Sequence, residues 1–219
     1  MAFYIDSNKT GSSGEIAYLL KKCILHCPKK WTEIVFLCIG SDRITGDCLG
    51  PYIGHLLHPH ESPRIFVYGT LSDPVHALNL EKSSRLIGQL HPHALVIAID
   101  ASLGQKKHLG YVTIGNGALY PGAGVQKNLP PVGDIHITGI VNIAGTSHSA
   151  DNTALHRSST GRCHCRRDLK NPSRRNRYDL LLIYKADILK LILSKVFNLA
   201  VDTLCIKTIF MKKLCRRAG

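Results

Sequence analysis

Between Glu15 and Cys27 the apolar residues fall at Ile16, Leu19, Leu20, Cys23, Ile24 and Cys27. That is the recurrence of one helix face, and Pro28 ends it. The pattern then changes. Glu33 to Ile39 (EIVFLCI) is a short unbroken apolar run stopped by Gly40, which predicts a strand buried on both faces. Arg64–Tyr68, Ala94–Ile99 (ALVIAI) and Tyr111–Ile114 read as three more strands. Between them, Leu49–Leu57 is helical in pattern, with Pro51 tolerated in its first turn, and so is Val75–Leu90 after the turn Ser72-Asp73-Pro74. Strands alternating with helices predict an α/β fold: three layers, α/β/α, around a mostly parallel twisted sheet.

Gly115 to Gly133 breaks both periodicities and is rich in Gly and Pro, so it is expected to be a long loop, of a length that favours a functional role. Its glycines, Gly115, Gly117, Gly122 and Gly124, fit neither the dinucleotide fingerprint nor the P-loop, and no helix opens after them. A nucleotide-dependent enzyme is therefore a poor reading.

In open α/β sheets ligands bind beyond the carboxyl ends of the strands. Asp100 directly follows ALVIAI, and Asp47 lies in GSDRITGDCLGP after the first predicted strand. Parallel strands bring both to one edge. Two adjacent carboxylates do not both ionise readily, so one keeps a proton while the other is a base, the arrangement needed to activate water against an amide and protonate the departing nitrogen. An acid in such a place is also often a helix cap or turn former, and the pattern alone leaves both roles open. His136, in GDIHITG, is open in the same way between a structural role and ligation or proton transfer. Asp42 and Arg43 form a candidate ion pair shaping the first loop, and Cys48 reads as a small buried residue at a helix start.

Composition changes the picture at one point. The chain has 219 residues and a formal charge of +13, which by itself suggests a nucleic-acid partner. Residues 1–145, however, hold 12 Lys+Arg and 10 Asp+Glu, while residues 146–219 hold 16 and 5. Seventeen of the 19 glycines precede residue 146. The charge belongs to the tail. Its most apolar stretch, Leu180–Phe210, is interrupted by Lys185, Asp187, Lys190, Lys195, Asp202 and Lys207, and so is not expected to span a membrane. The N-terminal residues lack the pattern of a secretory signal, and the cysteines at 23, 27, 38 and 48 fall in predicted elements as buried thiols do; a cytoplasmic location is expected.

The segments EIVFLCIGSDRITGDCLGP, VYGTLSDPVHALNL, LVIAIDASLG and PGAGVQKNLPPVGDIHITGIVNIAG together resemble the YyaC family of sporulation proteins, from about Glu33 to Gly145. More distantly the layout is similar to the germination protease of spores and to the hydrogenase maturation proteases. The resemblance implies their α/β/α fold and a sporulation-associated peptidase of the forespore or mother-cell cytoplasm. Its substrate would be a peptide or small protein, such as a spore protein, with no membrane and no specific nucleic acid as partner. Germination protease depends on aspartates in D-x-L-G-P and A-I-D-A, matched here by Asp47 in GDCLGP and Asp100 in AIDAS. The hydrogenase proteases bind a metal through two acids and a later histidine, which implies a possible divalent-metal site at Asp47, Asp100 and His136. PGAGV is similar to a P-G-S-G-V stretch of germination protease, which implies that Gly122 and Gly124 line the site, with Asp42 beside them. A non-enzymatic protein using the same site to bind metal or peptide is the alternative.

The resemblance stops at Gly145, so the domain is taken as 1–145 and residues 146–219 as an aberrant basic tail. Read one nucleotide later, codons permitted for Ser149 to Leu169 allow LQITRLYTVVQLADVIAEGIL, a helical pattern that resembles the family's closing helix. A frame change near Gly145 is the expectation, with the closing helix missing from this chain. Within the tail, Cys163-His164-Cys165 lacks the second ligand pair of a zinc site. The arginines at 166, 167, 174, 175 and 177 suit nonspecific phosphate contact rather than base reading.

Overall fold

The unbroken apolar runs become the middle of one sheet. In the computed structural model, which describes residues 2–41, 45–122 and 129–143, six strands line up in the order β1-β5-β6-β4-β2-β3. They are β1 (Ala2–Asp6), β2 (Glu33–Cys38), β3 (Ile65–Tyr68), β4 (Ala94–Gly104), β5 (Tyr111–Asn116) and β6 (Ile135–Ile143). β2 pairs in parallel with both β3 and β4, and β4 in parallel with β6; β5 runs antiparallel to β6 and to β1.

Among the described residues three helices cover the sheet: α1 (Ser12–Leu25), α2 (Leu49–Leu57) and α3 (Leu80–Leu90). α1 buries Ile16, Leu19, Leu20, Cys23 and Ile24, the stripe its sequence predicts, in one cluster with Ile53 and Leu57 of α2 and the Ile34, Phe36, Ile97 and Ile99 side of the sheet. Leu80 and Ile87 of α3 pack on the opposite side, against Val35, Leu37 and Ala98. The reason is topological. From β2 the chain steps through α2 to β3, then reverses through α3 to β4 on the other flank of β2. Right-handed crossovers in opposite directions put their helices on opposite faces. Helices thus stand on both sides of the sheet, the three-layer α/β architecture that the alternation predicts.

The structure differs from the sequence pattern in four places. β1 and β6 have no counterpart among the predicted strands. Helix α3 starts at Leu80, not Val75, because His76 to Asn79 make a turn in which Asn79 Oδ1 accepts the His76 N–H (2.7 Å). β4 does not end before Asp100 but runs on to Gly104, since β6 pairs with it throughout that stretch. The Gly/Pro segment is pinched at its base by reciprocal main-chain bonds of Leu119 and Val132 (2.8 and 2.9 Å), so it is a stapled excursion rather than an open loop.

Asp134 holds the start of β6 in place. Its Oδ2 accepts the Val96 N–H (2.9 Å) and meets Lys29 Nζ (2.8 Å), and its own N–H donates to the Val96 carbonyl (2.8 Å). The exposed lysine contact adds little, but losing the carboxylate strands a half-buried N–H. Asp134→Ala is expected to lower stability by about 1–3 kcal/mol, read as a reduced urea midpoint, whereas Lys29→Ala should stay within about 0.5 kcal/mol.

Candidate active site

Reversal of direction between β3 and β4 makes the boundary of β2 and β4 a topological switch point, where the loops diverge and leave a crevice at the carboxyl edge. Both predicted aspartates are there. Cys38, the last residue of β2, pairs with Ile99, so Asp100 is the first residue of β4 that β2 no longer flanks. Its other neighbour is Thr138 of β6. Asp100 is 8% exposed and its Oδ1 accepts the Ala101 N–H (2.7 Å).

Asp47 reaches the crevice from the 3-10 turn Thr45–Asp47, which leads into α2. Its carbonyl accepts the Ser41 N–H (3.0 Å) and lies so close to Gly40 that a Cβ there would be 2.0 Å from it. Glycines let α2 sit directly on the strand ends: a Cβ on Gly50 would come within 2.0 Å of the Ile39 carbonyl, and one on Gly54 within 2.2 Å of the Gly69 carbonyl. The Gly-x-x-x-Gly spacing in this helix therefore serves the backbone approach that carries Asp47 to the sheet edge.

The two carboxyls act on each other. Burial, and next the charge of Asp47, push Asp100 up to about 8, against the smaller opposing effect of the Ala101 N–H. Burial also raises Asp47, while hydrogen bonding from the Ser41 main chain and the charge of His76 pull it back down. At neutral pH Asp100 therefore holds its proton.

His136 lies opposite Ala98 on β6, two residues before Thr138, and so on the same sheet face as Asp100. Its Nδ1 is 3.1 Å from the Gly117 carbonyl. A carbonyl only accepts, so Nδ1 carries the hydrogen and Nε2 of the neutral ring is the acceptor. Gly122 is in a turn with φ +80°. Asp42, Gly124, the rest of that loop's tip and the whole 146–219 tail, with its frame and closing-helix expectations, lie outside the described residues. Among the described residues, no three His, Cys, Asp or Glu side chains converge closely enough to enclose a metal ion. Asp47, Asp100 and His136 do not fit as a closed ligand set. Cys48 is 2% exposed, packed with Leu71 and Tyr52, and Cys23, Cys27, Cys38 and Cys48 are all free thiols.

Three features of the site escaped the sequence pattern. The buried Thr113 and Thr138 hydroxyls are 2.6 Å apart, with the half-buried Ser102 Oγ 3.4 Å from Thr138, a group of three hydroxyls beside Asp100. Alternation along β6 would have exposed it, had β6 been recognised. The loop after β3 brings Thr70, 7% exposed, to the same edge. His76 is the third. Its signal was the Pro74-Val75-His76 turn with a capping asparagine three residues on.

A six-stranded, mostly parallel α/β sheet with an aspartate pair at its switch point defines the class of molecule. Over residues 4–157 the chain matches the family described as "Protein of unknown function (DUF1256)", and it belongs to that family. It is 47% identical to the "Uncharacterized protein YyaC" of Bacillus subtilis (strain 168) over 142 residues, 65% of this chain and 68% of that one. No helix among the described residues is long and apolar enough to cross a membrane.

Proposed function

We propose that the crevice is the active site of a peptidase that uses Asp47 as general base and Asp100 as general acid. The observation that carries this reading is the asymmetric acid pair: a buried Asp100 that holds its proton near neutrality, with Asp47 close enough to act on it electrostatically. In the reaction Asp47 takes a proton from water, whose oxygen bonds to the amide carbon. Asp100 gives its proton to the leaving nitrogen as the C–N bond breaks. The Thr113–Thr138–Ser102 hydroxyls and the Nε2 of His136 line the approach on the same sheet face, and Gly122 starts the loop beside it.

The resemblance to germination protease supports peptides or small basic spore proteins as substrates, and a role in the forespore or mother-cell cytoplasm of a spore former. Incubation of the 219-residue protein with small basic spore proteins, followed by mass spectrometry, tests it. Cleavage is expected, falling about 10²–10⁴-fold in Asp47→Asn. Equal cleavage by wild type and variant would overturn the roles. Absence of any cleavage, with saturable peptide binding, would replace the enzyme by a binding protein that keeps the same crevice.

A further inference from the structure

The two edges of the sheet are finished differently. At β3 the outward N–H groups are taken within the chain: Ile65 donates to the Ser62 carbonyl (3.0 Å) and Val67 to the Glu61 carboxylate (2.8 Å). At β1, among the described residues, no strand takes them. We propose that this edge is a dimer interface, at which a second copy of this chain pairs antiparallel with β1 about a two-fold axis and continues the sheet.

Hydrogen-bond alternation says which groups are available. Gly117 donates to the Asp134 carbonyl (2.8 Å), so the odd-numbered residues of β5 bond toward β6. The even-numbered ones bond toward β1, where Phe3 lies opposite Ile114 and Ile5 opposite Val112. Ala2, Tyr4 and Asp6 therefore point their main-chain groups outward. Of these, only the Asp6 carbonyl has a partner among the described residues, the Lys9 N–H (3.2 Å). A two-fold axis at Tyr4, the middle of the strand, sets like groups against like. Tyr4 exchanges both bonds with the partner's Tyr4, and Phe3 faces the partner's Ile5 in a close non-hydrogen-bonded pair.

The devices that usually block such an edge are missing. β1 contains no Lys, Pro or bulge. Its one charged side chain, Asp6, is turned back onto Asn8, from whose main-chain and side-chain N–H groups it accepts (3.0 and 3.1 Å). Tyr4 is 55% exposed, its ring 5.1 Å from that of His108 on the face away from α1.

The helix above the edge makes the fit self-complementary. α1 packs on both β1 and β5, so its axis lies roughly half a strand in from the edge. Across the join, α1 and the partner's α1 stand two strand spacings apart, about 10 Å, the distance at which helices pack. Lys22 Nζ lies over the Phe3 ring (5.8 Å) and marks the flank of α1 that faces the edge. Glu15, seven residues earlier and likewise exposed, is on the same flank. The two-fold axis reverses one helix against the other, so Glu15 of each copy approaches the partner's Lys22. β5 and β6 separate β1 from β4, so the crevice stays open in the dimer, and the interface is independent of the acid-pair reading.

Sedimentation velocity of the full-length protein at micromolar concentrations, with hydrogen exchange followed amide by amide, tests the interface. A dimer is expected, in which the Tyr4 amide becomes protected as concentration rises while those of Phe3 and Ile5 are protected throughout. Tyr4→Pro removes an outward N–H at an edge position that tolerates proline, and Tyr4→Lys places a charge on the axis. Both should sediment as monomers with native circular dichroism. Glu15→Lys should weaken the dimer about 2–30-fold, the worth of two exposed ion pairs, and adding Lys22→Glu should restore it. A monomeric wild type would overturn the proposal, and so would a dimer that both Tyr4 variants leave intact, association through residues 146–219 included. If Tyr4→Pro does not fold, the lysine variant decides.

Discussion

Asp100→Asn is expected to lower peptide hydrolysis by about 10²–10⁴-fold and at the same time to flatten the dependence of stability on pH. An unfolded aspartate titrates near ~3.9, whereas Asp100 in the folded protein is pushed up to about 8. Between those values the native state binds a proton that the unfolded chain has released. Stability from this group is therefore complete below pH ~4 and is lost as pH rises toward 8, at about 1.4 kcal/mol per pH unit in the window. Asparagine resembles the protonated carboxyl and cannot ionise, so the variant keeps that stability at high pH. Urea unfolding at pH 4.5, 6.5 and 8.5 should show the wild type weakening steeply and the variant only mildly. A residual slope from Asp47, raised in the same direction by its burial, is expected in both. Parallel curves for the two proteins would contradict a proton held on Asp100. The pairing of outcomes matters: a residue needed only for packing would lose stability when changed, while this one should gain it above neutrality as activity disappears.

Gly69→Ala is expected to cost about 2–5 kcal/mol, summing roughly 1–2 for a left-handed backbone and 1–3 for forced overpacking. Gly69 has φ +86°, and an added Cβ would stand 1.8 Å from the Cys38 carbonyl oxygen. Backbone, not a flexible side-chain tip, is in the way. The displaced element is also the one that seats α2, because Gly54 packs on the Gly69 carbonyl. Asp47, at the head of α2, would move with it. Total stability of a domain is only ~5–15 kcal/mol, so the substitution should lower the melting temperature sharply and disturb the Asp47 titration as well. Two controls isolate the cause. Gly117 also has positive φ (+101°) but nothing within 4 Å of its Cβ position, and should show only the backbone part. Gly14, inside α1 with open space around it, should become more stable as alanine, by about 0.5–1 kcal/mol. Equal midpoints for Gly69→Ala and Gly117→Ala would show that the close approach to Cys38 carries no energy.

Much of the architecture was legible because it is local. EIVFLCI and ALVIAI sit in the centre of the sheet, where both faces are covered and every position can be apolar. The stripe of α1 is visible because one face alone is buried. The strands that were missed lie where such signals fade. β1 is an edge strand with Tyr4 55% exposed, and β6 alternates Ile135 and Ile137 with His136 and Thr138, because its other face carries the polar side of the crevice. The true extent of β4 was hidden for a similar reason: Asp100 and Ser102 look like a strand's end in sequence, and only pairing with β6 keeps them extended. His76 looked like one histidine among twelve. Its place depends on a bridge between Ile39 and Val75 that no local pattern announces.

The sequence by itself determined the α/β class, the order of the central elements and the two candidate aspartates, one directly after a strand and one in the loop beyond another, since periodicity and punctuation are properties of neighbouring residues. Tertiary structure alone decided which strand flanks which, that the pairing of β2 with β4 stops one residue before Asp100, and that Gly40 touches the Asp47 carbonyl while bonding to Val75. Those are contacts between segments tens of residues apart. Their consequence, a carboxyl that keeps its proton near neutrality, comes from burial and a neighbouring charge, and neither exists until the chain has folded.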